Sequence, residues 1–217
     1  CLCQLRVSIV KDITRTKNRI KSLLYYKGET IARNDEIRHW SKAFIKHIKI
    51  YEKEHRTLAY FIEQFIGKRV ELAQLLKEIK EFLYKNKLMG EIKLLTSVPG
   101  IGFITAITFL SKVVDIKLFK NFDRLAAFVG LIPMIQSSDQ TTKNYGMHVR
   151  ACRQLRSYLV EAAWIGIRKD PALFESFSKY CIRMPKNKAI IRIAKKLLSR
   201  VAYVLRNKKA YVKAVVE

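Results

Sequence analysis

Acidic side chains are scarce in this chain: eighteen Asp and Glu stand against forty-three Lys and Arg in 217 residues, for a formal charge of +25. That imbalance argues against an ordinary metabolic enzyme and points to a polyanionic partner. Cysteine is sparse and scattered, at Cys1, Cys3, Cys152 and Cys181. No CxxC pair exists and four thiols are too few for a disulfide framework, so they read as reduced thiols. The four histidines, His39, His47, His55 and His148, stand eight or more residues apart, which excludes the i, i+4 pair of a helical zinc site. No apolar run approaches the roughly 18 residues of a membrane span; the longest uncharged apolar-rich stretch lies around Phe103 to Leu110. The opening CLCQLR is not a basic region followed by an apolar segment, so no secretory signal is read and a cytoplasmic protein without membrane contact is expected. Strand signals are weak throughout.

What remains is apolar and basic in helical spacing. Apolar residues make up 49% of the chain, enough for a real core. The positive charge is uneven: residues 91–217 hold twenty-three basic and eight acidic side chains, against fourteen and six over residues 1–56.

The periodicity predicts an all-α protein. Leu5, Ile9, Ile13, Thr16, Ile20 and Leu23 recur three or four apart and predict a first helix to about Tyr26, broken at Gly28. Because the chain opens on Cys1 with this helix in progress, residues 1–27 are expected to end a longer N-terminal domain. Trp40, Phe44 and Ile48 predict a second helix from Asp35 to about Tyr51. Residues 28–90 are expected to form a helical coiled-coil arm, because Leu58, Ile62, Phe65, Arg69, Leu72, Leu76, Ile79 and Leu83 follow the alternating four and three steps of a supercoil seam. That seam predicts a homo-oligomer, or else an intramolecular hairpin against Asp35 to Tyr51. A hinge is expected over Asn86 to Gly90, followed by a helical C-terminal domain over 91–217. There, Asn121 and Gly130 bracket one helix, Val149 to Ile167 forms a long one, Pro171 opens another, and Asn187 caps the last, through Arg206. Leu131 to His148 reads as one long irregular segment, a length that is usually functional or disordered.

Three features of that domain bear on chemistry. VPGIG places a glycine turn before a helix start, so Gly100, Ile101 and Gly102 can contact phosphate through backbone N–H groups in the manner of a helix-hairpin-helix element; as an ordinary interhelical turn it needs no ligand. Arg150, Arg153 and Arg156 fall at i, i+3, i+6 and stay close together on a helix surface. The last helix sets Lys188, Arg192, Lys195, Lys196 and Arg200 against an apolar face, a pattern for a nucleic-acid backbone.

The ordered series VPGIG, GLIP, Ser137–Ser138 and Leu155–Arg156 resembles the C-terminal domain of the insertion-sequence-110 type of bacterial transposase, recombinases guided to DNA by a structured RNA. The resemblance is strong from Leu94 to Tyr211 and weaker from Lys11 to Tyr25 and His39 to Phe44. It implies that Ser138, at Pro133-x4-Ser138, is the nucleophile that forms a phosphodiester with DNA; on composition alone the two serines are polar loop residues. It implies catalytic or phosphate-binding roles for Arg156 and Arg150, with Arg153, Lys143 and the basic residues of the last helix on DNA or guide RNA. His148 is within reach of the same site by sequence. Two positions depart from the pattern, Asp139 and Ala151, where the family has glycines. The family's N-terminal domain, whose four carboxylates hold Mg2+, has no counterpart in these residues: Asp35 and Glu36 are adjacent, and Asp115 and Asp123 stand apart. The resemblance therefore implies a recombinase fragment that cuts only when completed, by a composite site shared between subunits. The other reading is a non-catalytic nucleic-acid-binding dimerisation module from a decayed element.

Overall fold

The computed structural model describes residues 2–26, 40–53, 55–138, 141–147 and 151–212, with backbone alone for 52–53, 133–138 and 141–147. The chain divides into two compact units, Cys1–Asn86 and Lys87–Glu217. Helices dominate both, as the apolar spacing predicts, with one two-stranded hairpin in the second.

In the first unit a long helix, α1 (Leu2–Tyr26), packs along another, α3 (Arg56–Lys85). They run antiparallel: Arg19 lies over Phe61 and Lys17 over Phe65, while Asp12 and Glu71 line one cleft further along. The α1 stripe Ile9, Ile13, Thr16, Ile20 and Leu24 is buried, as are Leu58, Ile62 and Phe65 of α3. The seam read as a dimerisation surface thus faces α1 of its own chain, a matching four-three stripe held nearby by the covalent connection. Among the described residues α1 is the main partner of α3, with a lesser contribution from Lys49–Lys53. The seam also drifts: Leu75, not Leu76, is buried in its second half, and Arg69 is exposed. Between these helices lies α2 (Lys42–Ile48), extended by a 3-10 turn, Lys49–Lys53, that packs on α3. The Ser41 side chain caps α2 by accepting from Phe44 N–H. Trp40 precedes this helix with a left-handed φ of 54°, and its ring packs against Phe44 and Phe65. Residues 35–39, the start of the expected second helix, lie outside the described residues.

The break between units falls at Asn86, which caps α3, and at Lys87, whose φ is 57°. Gly90, expected as a breaker, is already inside α4 (Met89–Ser97). The second unit continues through α5 (Phe103–Lys112), a 3-10 turn (Ile116–Leu118), α6 (Phe122–Val129), strands β1 (Pro133–Ser138) and β2 (Thr141–Met147), then α7 (Arg153–Lys169), α8 (Pro171–Arg183) and α9 (Lys186–Asn207). Its centre is α9, which packs on α4, α6, α7 and α8. Ala189, Ile190, Ile193, Ala194, Leu197, Leu198, Val201, Ala202, Val204 and Leu205 are all buried there, a stripe wide enough to make the last helix the core of the unit. Pro185, rather than Asn187, stands at its N-cap.

Candidate nucleic-acid interface and serine hairpin

The VPGIG turn has an intramolecular role that its sequence does not announce. Val98 and Ile101 are buried, and Gly100 adopts a φ of +88°, a left-handed conformation that a side chain disfavours. A Cβ there would lie far inside contact distance of the Ala162 carbonyl oxygen and 3.0 Å from the Gly166 nitrogen, both on α7. Gly166 returns the close approach, with an added Cβ 3.1 Å from the Pro99 carbonyl oxygen. The turn therefore packs backbone to backbone on α7, over a patch kept low by Ala162, Ala163 and Gly166. Of the three residues expected at phosphate, Gly100 and Ile101 are committed to this packing; Gly102 is exposed at the N-cap of α5, with open space where a Cβ would go.

The GLIP segment turns the chain out of α6. The Asn121 side chain caps α6 by accepting from Arg124 N–H, and Gly130 ends it in the left-handed conformation, φ 81°. Leu131 N–H donates to the Ala126 carbonyl at 2.8 Å, and Cys152 N–H donates to the Phe128 carbonyl at 2.9 Å. These bonds bring the two ends of the intervening segment together. A Cβ on Gly130 would stand 2.6 Å from the Ala151 Cβ, so Ala151 is tolerated because residue 130 is glycine.

Between those ends the expected irregular segment is an antiparallel hairpin. Pro133 pairs with Met147, Gln136 with Lys143, Ser137 with Thr142 and Ser138 with Thr141, with a register irregularity between Pro133 and Ile135. Proline at the first strand position leaves the rest of the ladder intact. Ser138 pairs with Thr141 at the end of the ladder, and residues 139 and 140 lie outside the described ones. Lys143 is two pairs nearer the base. Five residue steps, or about 17 Å of strand, separate Pro133 from Ser138.

The arginines sit at the opposite end. Arg156 lies against Gly130, its Nη1 3.6 Å from the position a Cβ would take; Arg153 is exposed at the first turn of α7. Arg150, with His148, lies outside the described residues, and Ala151 and Cys152 precede α7, so the helix begins four residues after the expected Val149. Of the three arginines, Arg153 and Arg156 are described at this end of the hairpin. Gly130, Ala151 and Arg156 meet at the hairpin base, and Ser138 stands at the other end of the ladder.

The basic residues of α9 divide in the same way. Lys188 and Arg192 are exposed, with the Arg192 guanidinium 5.6 Å from the Tyr180 ring. Lys195 pairs with Asp123 at 3.2 Å, and Lys196 donates to Ser176 Oγ at 2.8 Å. Arg200 turns inward and donates to Asp170 Oδ2 at 2.8 Å. This last contact belongs to a network that sequence reasoning misses. The Asp170 side chain is fully buried; it caps α8 by accepting from Leu173 N–H and accepts from Tyr211 Oη at 2.7 Å. Burial, and then the hydrogen bond to Asp170, push the Tyr211 hydroxyl up to about 12. Arg200 also stacks over the Tyr211 ring, 4.9 Å from its centre, and Tyr211 N–H donates to Ser97 Oγ. The available signal is the Asp170-Pro171 dipeptide, an N-cap followed by an N1 proline.

Among the described residues, no three His, Cys, Asp or Glu gather into a group that could hold a metal. Asp115 caps a 3-10 turn and Asp123 pairs with Lys195. Among the described residues, too, no helix is long and apolar enough to cross a membrane.

The turn, the hairpin, its base and α7 all fall inside residues 92–179, which match the model of the transposase IS116/IS110/IS902 family. The transposase for insertion sequence element IS1111A of Coxiella burnetii (strain RSA 493 / Nine Mile phase I) is 26% identical over 165 residues, 75% of this chain and 44% of that protein. The transposase for insertion sequence element IS1328 of Yersinia enterocolitica is 24% identical over 212 residues, 94% of this chain and 61% of that protein. Residues 92–179 of the second unit are therefore similar to the domain of that transposase family. The chain is similar to these transposases, and it spans less than two thirds of their length.

Proposed function

We propose that this chain is the serine-bearing part of a DNA transposase, with Ser138 as the nucleophile of strand cleavage and exchange. The observation that carries the reading is the position of Ser138 in the last pair of a hairpin whose two ends are tied at Gly130–Leu131 and Cys152. A serine in the last pair of a two-stranded hairpin suits a site completed by another body, the composite arrangement that the resemblance implies. In the reaction, Ser138 Oγ attacks a DNA phosphorus and the bond to one deoxyribose oxygen breaks. The serine proton leaves to a base and the departing oxygen takes up a proton. The phosphoserine diester keeps the bond energy for rejoining, which hydrolysis would discard. Carboxylate-held Mg2+ on the family's N-terminal domain would supply charge stabilisation.

Because Arg156 and Arg153 stand at the base, they are assigned to phosphates flanking the attacked one, as is Arg150 by its sequence position; Lys143 lies between base and tip. Lys188, Arg192 and Lys196, with Gly102 at the start of α5, extend the phosphate-binding surface to DNA or a guide RNA. Lys195, paired with Asp123, contributes less. Homo-oligomerisation would use what α1 leaves of α3, including the half-buried Leu72 and Leu76 and the exposed Phe82. Asp139, a carboxylate next to Ser138, favours the second reading of a binding module that has lost cleavage. The two separate in an excision assay of a transposase that joins this segment to the family's N-terminal domain. Ser138→Ala abolishes excision and Ser137→Ala does not under the first reading; no excision, even with Asp139→Gly, supports the second.

A further inference from the structure

The first unit carries a cluster of cations that the transposase-domain match does not cover. Lys17 of α1 sits with Nζ 5.6 Å from the Trp40 ring and 5.7 Å from the Phe65 ring. Arg69 of α3 donates from Nη1 to the Trp40 carbonyl at 3.2 Å and lies 5.6 Å from the same Phe65 ring. Lys21 is one helical turn beyond Lys17 on α1 and exposed, and its charge, like that of Arg69, bears on Lys17. Among the described residues, the carboxylates lining the neighbouring cleft are engaged elsewhere: Asp12 pairs with Arg15 at 3.2 Å, and Glu71 with Lys68 at 2.8 Å.

Packing explains part of this arrangement. The Lys17 ammonium lies over the Trp40 and Phe65 rings, and the Trp40 carbonyl accepts from Arg69. Packing does not explain why Lys21 and Arg69 stand near Lys17, since like charges at this range repel. Burial first, then the Arg69 and Lys21 charges, hold the Lys17 ammonium below the usual lysine range. A bound phosphate would offset the repulsion and accept hydrogen bonds from both lysines.

We infer that Lys17 and Arg69, gathered beside the Trp40 and Phe65 rings, form with Lys21 a binding site for nucleic-acid backbone phosphate on the helical arm. This rests on the reading that the chain binds nucleic acid but assigns part of that binding to the first unit. The site reads backbone charge without base identity, so duplex DNA and duplex RNA share the recognised chemistry.

The test uses the full chain, a duplex DNA and a duplex RNA of the same sequence, and fluorescence anisotropy from about 50 to 200 mM salt. Lys17→Gln/Lys21→Gln lowers affinity roughly 5- to 50-fold and reduces the slope of log K against log salt by about 1–2. Loss on RNA alone or DNA alone supports the site and identifies its polyanion. Lys21→Gln by itself, at an exposed position, weakens binding while the melting temperature of the free protein stays level or rises, because a like charge has been removed. Unchanged affinity and slope in both variants overturn the inference. A lower melting temperature with unchanged binding also overturns it, because Lys21 is then paired within the chain. If Lys188→Gln/Arg192→Gln weakens binding and Lys17→Gln/Lys21→Gln does not, only this inference fails; if the wild-type chain binds neither duplex at low salt, the proposed function fails with it.

Discussion

Replacing Gly100 by alanine tests whether the VPGIG turn is a packing element before it is anything else. Two costs add. A side chain at φ +88° is left-handed and costs about 1–2 kcal/mol. The new methyl also meets the Ala162 carbonyl oxygen, a backbone atom in the middle of α7 that cannot rotate away, and such overpacking costs about 1–3 kcal/mol. The sum, roughly 2–5 kcal/mol, lowers the thermal midpoint of the second unit by about 6–15 °C at roughly 3 °C per kcal/mol. The readout must report that unit alone. Of the chain's two tryptophans, Trp164 lies on α7 and Trp40 in the first unit, so fluorescence in a Trp40→Phe background follows Trp164. Gly102→Ala is the control: its φ is ordinary and its Cβ meets nothing within 4 Å, so stability changes by less than about 1 kcal/mol. Loss of DNA affinity in that variant alone would locate a phosphate contact at Gly102. If Gly100→Ala melts within about 0.5 kcal/mol of the parent, the backbone contact between the turn and α7 is refuted.

Arg200→Ala strips the charge partner from the fully buried Asp170 side chain and destabilises the second unit by about 2–4 kcal/mol in urea titration, toward the low side of a buried pair because Arg200 is partly exposed. Tyr211→Phe alters the alkaline limb: the folded hydroxyl is pushed up to about 12 from an ordinary 10.0, so its contribution is full below pH 10 and lost as pH rises through 12. A stability curve for Tyr211→Phe parallel to the parent over that window contradicts the assignment. Binding of the whole chain to duplex DNA falls about 10³-fold or more between roughly 50 and 200 mM salt if some six phosphates are contacted; a flat salt profile measured by anisotropy contradicts the interface.

Local signals were legible where one or two neighbouring residues decide the outcome. Asn121 and Gly130 bracket α6 as expected because a side-chain cap and a left-handed glycine act within one turn. The α1 stripe was read almost to the residue, except that Leu24 is buried and Leu5 is 48% exposed, the drift of a 3.6-residue helix against a counted pattern. The partner of the α3 seam was not legible, since nothing in residues 56–85 says whether a matching stripe comes from α1 or from another chain. The hairpin was missed because PMIQSS and TTKNYGM lack apolar alternation, and only pairing across the turn makes them strands. Asp170 was passed over for a similar reason: Arg200 and Tyr211, thirty and forty-one residues later, decide that it is buried rather than a surface cap. Ser138 is proposed from the motif series alone, whereas its separation from Arg153 and Arg156 depends on the hairpin.

The central claim is that Ser138 makes the bond to DNA, and trapping that bond tests it directly. A transposase joining this segment to the family's carboxylate-bearing domain, supplied with Mg2+, guide RNA and a nicked target, is quenched during strand exchange, and the cross-linked peptide is identified by mass spectrometry. The account predicts a phosphodiester on Ser138, absent in Ser138→Ala while DNA affinity stays within about twofold, since one hydroxyl barely alters a +25 charge field. An adduct on another residue, or one that persists in Ser138→Ala, contradicts it.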